Sequence, residues 1–149
     1  MMINKPLYKI KKNLYNESMI DTTTFEAAIE TLDEIIERYD RESHDNAIRD
    51  ALIQRFEYTY SLAIKVLMRY IKYNLAELDD ELTFNETIRN ANKLGLLKSN
   101  LEKWTIYRQK RNLSSHTYNE EAAMEVVKVT KEFQEEVHYL LERLNKKKW

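Results

Sequence analysis

Asn46–Asn74 reads NAIRDALIQRFEYTYSLAIKVLMRYIKYN. Ile48, Leu52, Phe56, Thr59, Ala63, Val66 and Tyr70 recur at three and four, the period of one helix face. Ala51, Tyr58, Leu62, Leu67 and Ile71 widen that stripe. No Gly or Pro interrupts it. At 1.5 Å per residue such a helix is about 40 Å long. A stripe this wide serves a bundle core on one side and a partner on the other.

On the N-terminal side, Phe25, Ala28, Ile29, Leu32, Ile35, Ile36 and Tyr39 repeat the pattern. They predict a helix starting near Thr22–Thr24, with a break over Arg41–Asp45. Residues 1–21 read as an N-terminal extension, and residues 22–149 as one helical domain. On the C-terminal side, Leu75–Thr83 is an acidic connection. Phe84–Leu94 reads as a short helix stopped by Gly95 in the left-handed conformation. Leu96 and Leu97 then pack inward. Ser99-x-x-Glu102 has the form of a capping box and opens a helix to about Arg111. Asn119 suits the cap of the last helix, followed by Glu120 and Glu121 at its positive end. Its core stripe is Ala122, Val126, Val129, Phe133, Val137, Leu140 and Leu144. Lys146–Lys148 form a solvated tail. The expectation is an all-α protein, an antiparallel up-and-down four-helix bundle with a short extra helix.

Composition agrees. The 149 residues contain one Gly, one Pro and no Cys. That scarcity argues against a turn-rich β protein. Zero Cys excludes a disulfide framework and a thiolate zinc site, and fits a reducing cytoplasm. No apolar run approaches the ~20 residues of a membrane span. The N-terminus lacks the apolar core of a signal peptide. The net charge of −1 gives no global attraction to nucleic acid, so any polyanion site must be local.

Chemistry concentrates in Trp104–Tyr118, WTIYRQKRNLSSHTY. Three His are too few and too scattered for a metal site, and no Gly-rich phosphate loop exists. Arg111 and His116 flank a predicted polar, non-helical link at Ser114 and Ser115. Asn112 adds a polar group beside the Arg, and the following helix start offers free N–H groups to an anion. Lys103, Arg108 and Lys110 supply the local positive charge. An Arg fork, an imidazole and a helix end suit a phosphodiester. The Arg–His spacing alone is weak, since Arg38-x5-His44 is comparable. From the residues, a catalytic role and a structural or phosphate-binding role both remain open. Tyr118 reads as a hydrophobic staple before the cap. Trp104 and Tyr107 suit either base stacking or the core.

RNLSSHTY (Arg111–Tyr118) resembles the Arg-x4-His-x-Tyr signature of HepT-like HEPN toxins, also known as nucleotidyltransferase substrate-binding proteins. IQRFEYTYSLAIKVLMRYI (Ile53–Ile71) resembles the long second helix of that family, and Asn90–Trp104, with AxxxGLL and a later Trp, its middle segment. The resemblance covers roughly residues 25–145. Asn119 stands where an acidic residue is common, and Ile64 replaces a frequent Trp. The resemblance implies a helical bundle that forms a two-fold homodimer and pairs with a small nucleotidyltransferase antitoxin. It implies a metal-independent endoribonuclease without cofactor. Arg111 and His116 would be catalytic. Asn112, Lys103, Arg108 and Lys110 would bind RNA, and Tyr118 would be the residue adenylylated by the partner. A second reading is a non-catalytic subunit presenting substrate to a nucleotidyltransferase. A third is a plain helical interaction module.

Overall fold

The long helix of the sequence is present with its expected ends. In the computed structural model, which describes residues 21–74 and 81–147, α2 (Asn46–Asn74) follows α1 (Thr23–Arg41). Then come α3 (Phe84–Lys93), α4 (Leu101–Leu113), a 3-10 turn over Ser114–His116, α5 (Glu120–Val127) and α6 (Thr130–Lys146). The described residues form an all-α fold. The N-terminal extension before residue 21, the acidic residues Glu77, Asp79 and Asp80, and Lys148 of the tail lie outside the described residues.

Several termini have a local cause. Asp45 Oδ1 accepts from the Ala47 N–H at 2.8 Å and opens α2. Thr83 and Glu86 form a reciprocal capping box at α3. At the end of α3, Gly95 takes φ +73°. The Leu96 N–H then bonds the Ala91 carbonyl, and the Gly95 N–H bonds that of Asn92, the bonding pattern of a Schellman stop.

Two expectations are corrected. The cap of α4 is Asn100, whose side chain accepts from the Lys103 N–H, and not Ser99 with Glu102. The reason is non-local. Glu136, buried on α6, accepts from the N–H groups of Lys98 (2.8 Å) and Ser99 (3.3 Å) and holds the link one residue earlier. The last helix is not continuous either. It breaks at Lys128 and Val129, where the Thr130 hydroxyl bonds back to the Val127 carbonyl at 2.8 Å.

α1 and α2 run antiparallel. Arg55 Nη1 donates to the Thr31 carbonyl, and the Thr59 hydroxyl donates to that of Ala28. α6 closes on α1 in the same sense, through Asp40–Lys131 and through Asp33 with Gln134 and His138. At the centre five aromatic rings meet. Phe133 of α6 packs edge-on against Phe56 of α2 at 4.9 Å and against Tyr107 of α4 at 5.3 Å. Trp104 and Tyr60 complete the cluster. This cluster fixes α4, and therefore its C-terminal end, against α2.

Candidate functional site

The last turn of α4 carries Arg111 and Asn112. The chain does not then loosen into the non-helical link expected of two serines. It tightens into the 3-10 turn Ser114–His116. The Ser114 hydroxyl reaches the Arg111 carbonyl at 2.6 Å and the Ser115 hydroxyl reaches that of Asn112 at 3.2 Å. Such bonds to a carbonyl three residues back are compatible with a helical backbone, so they extend the turn instead of breaking it. Asn119 then caps α5 as expected, accepting from the Glu121 and Ala122 N–H groups at 3.0 and 3.3 Å.

His116 and Tyr118 meet on this junction. His116 Nδ1 lies 3.2 Å from the Tyr118 hydroxyl, and the two rings stand nearly perpendicular at 5.9 Å. Tyr118 is 86% exposed, so it is not a staple. His116 and Asn112 are exposed, and the Arg111 side chain is 37% exposed. An imidazole and a phenol thus meet on one open turn, and the Arg111 side chain leaves the last turn of the helix before it.

The other basic residues divide. Lys103 pairs with Glu132 on α6 and Lys110 with Glu125 on α5. Lys128 and Lys110 together hold the Glu125 carboxyl below its usual range by hydrogen bonding. Lys103 and Lys110 therefore turn towards the C-terminal helices, α6 and α5. Arg108 instead lies over the Phe84 ring at 4.8 Å. It shares with Arg111 an electrostatic neighbour, the Tyr60 hydroxyl. Burial pushes Tyr60 up to about 12, against the smaller opposite pull of the two guanidiniums. Tyr60 is thus a neutral phenol beneath a cationic edge. Trp104 and Tyr107 are buried at 0% and 1%, which removes them as base-stacking platforms.

One residue near the site was not anticipated. Glu57 of α2 accepts from the Ser114 hydroxyl at 2.6 Å, and its other oxygen lies 3.9 Å from Arg111 Nη2. Its only sequence signal is a lone carboxylate among aromatics, in FEYTY. Among the described residues no group of three or more acidic or His side chains is arranged to hold a metal ion. No helix among them is long and apolar enough to cross a membrane.

The model of the family described as nucleotidyltransferase substrate binding protein like matches residues 20–146. The chain is 31% identical over 138 residues to a Haemophilus influenzae protein named probable ribonuclease HepT, covering 86% of this chain and 94% of that one. It superposes with a TM-score of 0.78 on a solved Haemophilus influenzae structure described as a substrate binding domain of a nucleotidyltransferase. That match has 27% identity and covers 84% of this chain and 99% of the other. A protein named probable ribonuclease HepT and a domain described as substrate binding are both among its relatives, and the chain belongs to the nucleotidyltransferase substrate binding protein like family, the HepT-like group.

Proposed function

We propose that the chain is a metal-independent endoribonuclease toxin, partnered by a small nucleotidyltransferase that silences it by adenylylating Tyr118. The observation that carries this reading is the junction itself, where exposed His116 and Tyr118 touch one turn after Arg111. The name of the Haemophilus relative supports it. RNA supplies its own nucleophile. A ribose 2′-oxygen attacks the adjacent phosphorus, the bond to the 5′-oxygen breaks, and a cyclic phosphate and a 5′-hydroxyl result. His116 accepts the 2′-proton or donates one to the leaving oxygen. Arg111 meets the charge that builds on the non-bridging oxygens. Asn112 and Arg108 lie near enough along α4 to contact flanking phosphates. Residues 22–149 form the working domain, and the protein acts in the cytoplasm, where RNA is available.

In this reading the protein is an isologous homodimer whose two His116 side chains divide the acid and base roles. Tyr58 on the long helix keeps part of its ring exposed while its hydroxyl meets that of Thr31 on α1, and this supports a partner face along α1 and α2. Sedimentation at micromolar concentration should give a dimer, and a monomer contradicts this part.

Tyr118 supplies the switch. An AMP phosphate on its hydroxyl arrives beside His116, with Arg111 as its cationic partner, since Asn119 already takes the N–H groups of Glu121 and Ala122 at the start of α5. It then takes the place of the scissile phosphate, so inhibition is competition for one anion site. Incubation with the partner and ATP-Mg should add AMP mass to Tyr118 and stop RNA cleavage. Tyr118→Phe should cleave RNA yet escape modification. AMP found on another residue ends this mechanism. The second reading, a non-catalytic substrate-presenting subunit, is favoured by the description of the solved relative. Nucleotide transfer onto a molecule other than this chain, with no RNA cleavage by it, would establish that reading.

A further inference from the structure

Glu57 is a carboxylate placed where an RNA-binding site should avoid one. It lies beside Arg111, on the helix beneath the junction, where its charge repels phosphate. As an ion pair it contributes little. The nearest approach to Arg111 is 3.9 Å and both side chains are more than one-third exposed, a setting in which solvent screens most of the attraction. Its other contact is stronger in kind. The Ser114 hydroxyl has one proton and two acceptors at 2.6 Å, the Arg111 carbonyl and Glu57 Oε2. A charge-assisted O–H···O⁻ bond is the stronger of the two and has this length. Ser114 is buried and opens the 3-10 turn that ends at His116. One carboxylate therefore spans α2, the base of the His-bearing turn and the Arg111 guanidinium. At 3.9 Å it aligns that guanidinium without engaging it in a hydrogen bond.

We infer that Glu57 is a positioning residue: through Ser114 it fixes the Ser114–His116 turn on α2, and by charge it holds Arg111 over the same turn. This rests on the reading that Arg111 and His116 cleave RNA. The test compares wild type, Glu57→Ala, Glu57→Gln and Ser114→Ala on an end-labelled pool of random single-stranded RNA. It also records the ring NMR signals of His116 in each. Misplacing a catalytic group by about 1 Å costs on the order of 10²-fold. Glu57→Ala and Ser114→Ala should therefore lower kcat about 10- to 100-fold, with KM within about threefold of wild type. Both should shift the His116 signals. Glu57→Gln keeps an acceptor for Ser114, so its His116 signals should stay near wild type and its kcat should fall less than in Glu57→Ala. Glu57 is partly exposed, so the two Glu57 variants should unfold near the wild-type midpoint, whereas Ser114→Ala, at a buried position, should lower it slightly and stay folded.

A lowered KM in Glu57→Ala means that Glu57 only competes with substrate for Arg111, and overturns the inference. So does an unchanged kcat with unmoved His116 signals, or a silent Ser114→Ala beside an equally damaged Glu57→Gln and Glu57→Ala. If Glu57→Ala does not fold, the Gln and Ser114 variants decide. If Arg111→Ala and His116→Ala cleave like wild type, the ribonuclease reading fails instead, and the His116 signals alone judge the tie.

Discussion

His116→Ala and Arg111→Ala should each reduce cleavage of total RNA to about one hundredth of wild type or less. A positioned acid or base contributes about 10²–10⁴-fold. Loss of one donor to a developing oxyanion costs about 10²–10³-fold. Neither variant should unfold the protein. His116 is exposed and Arg111 partly so, and neither belongs to the apolar core. Truncation there leaves no cavity, and surface changes of this kind usually stay within about 0.5 kcal/mol. The assay is run in EDTA, with circular dichroism on each variant. Full cleavage in either variant, or loss of wild-type cleavage on chelation, contradicts a metal-free His–Arg mechanism. Arg111→Lys is a useful companion. It keeps the charge but loses the planar fork, so it should restore RNA binding better than cleavage.

The largest stability effect is expected in the aromatic cluster. Phe133→Ala should cost about 3–5 kcal/mol, the range for truncating a buried Phe. Phe133 is fully buried and touches Phe56, Tyr60, Trp104 and Tyr107, so it joins α6, α2 and α4. Edge-to-face pairs add about 0.5–1.5 kcal/mol each beyond area burial. A domain stable by about 5–15 kcal/mol loses a large share of its margin. Urea unfolding should show the midpoint falling with little change in slope. A midpoint unmoved by the substitution would mean that the three helices are held together elsewhere. The same variant should weaken RNA cleavage at warm temperatures and spare it in the cold, since its effect on the junction runs through α4.

Legibility in the sequence followed the range of the interactions. α2 was readable because its burial repeats within its own turns. The Asn119 cap and the Gly95 stop were readable because each is satisfied within a few residues. The break at Lys128–Val129 was not, because Val126, Val129, Phe133 and Val137 keep helical spacing across it, and no Gly or Pro marks it. Four β-branched residues, Val126, Val127, Val129 and Thr130, are the nearest local hint. The Asn100 cap was hidden because a carboxylate 37 residues away decides it. Arg111, His116 and Tyr118 were nameable as a short motif. Glu57 was not, because a single acid on a helix reads as solvation until its partner on another helix is seen. Lys103 and Lys110 looked available as surface cations, and only their acidic neighbours on α5 and α6 show how they are occupied.

The interruption at Lys128–Val129 gives the C-terminal third of the chain two separate duties. α5 packs against α2, α4 and the 3-10 turn, whereas α6 packs chiefly against α1. A single rigid rod would transmit every change on the α1 side straight to Asn119. Two helices joined at a hydrogen-bonded turn need not share one axis. The Asp33–His138 and Asp40–Lys131 contacts lie on the α1 side of α6, while Phe133 of the same helix reaches α2 and α4, so the closing layer meets the junction at residues 111–118 through Phe133 and not along one helix axis. Substitutions in the α1–α6 seam that leave Phe133 in place should therefore leave the 111–118 junction where it is.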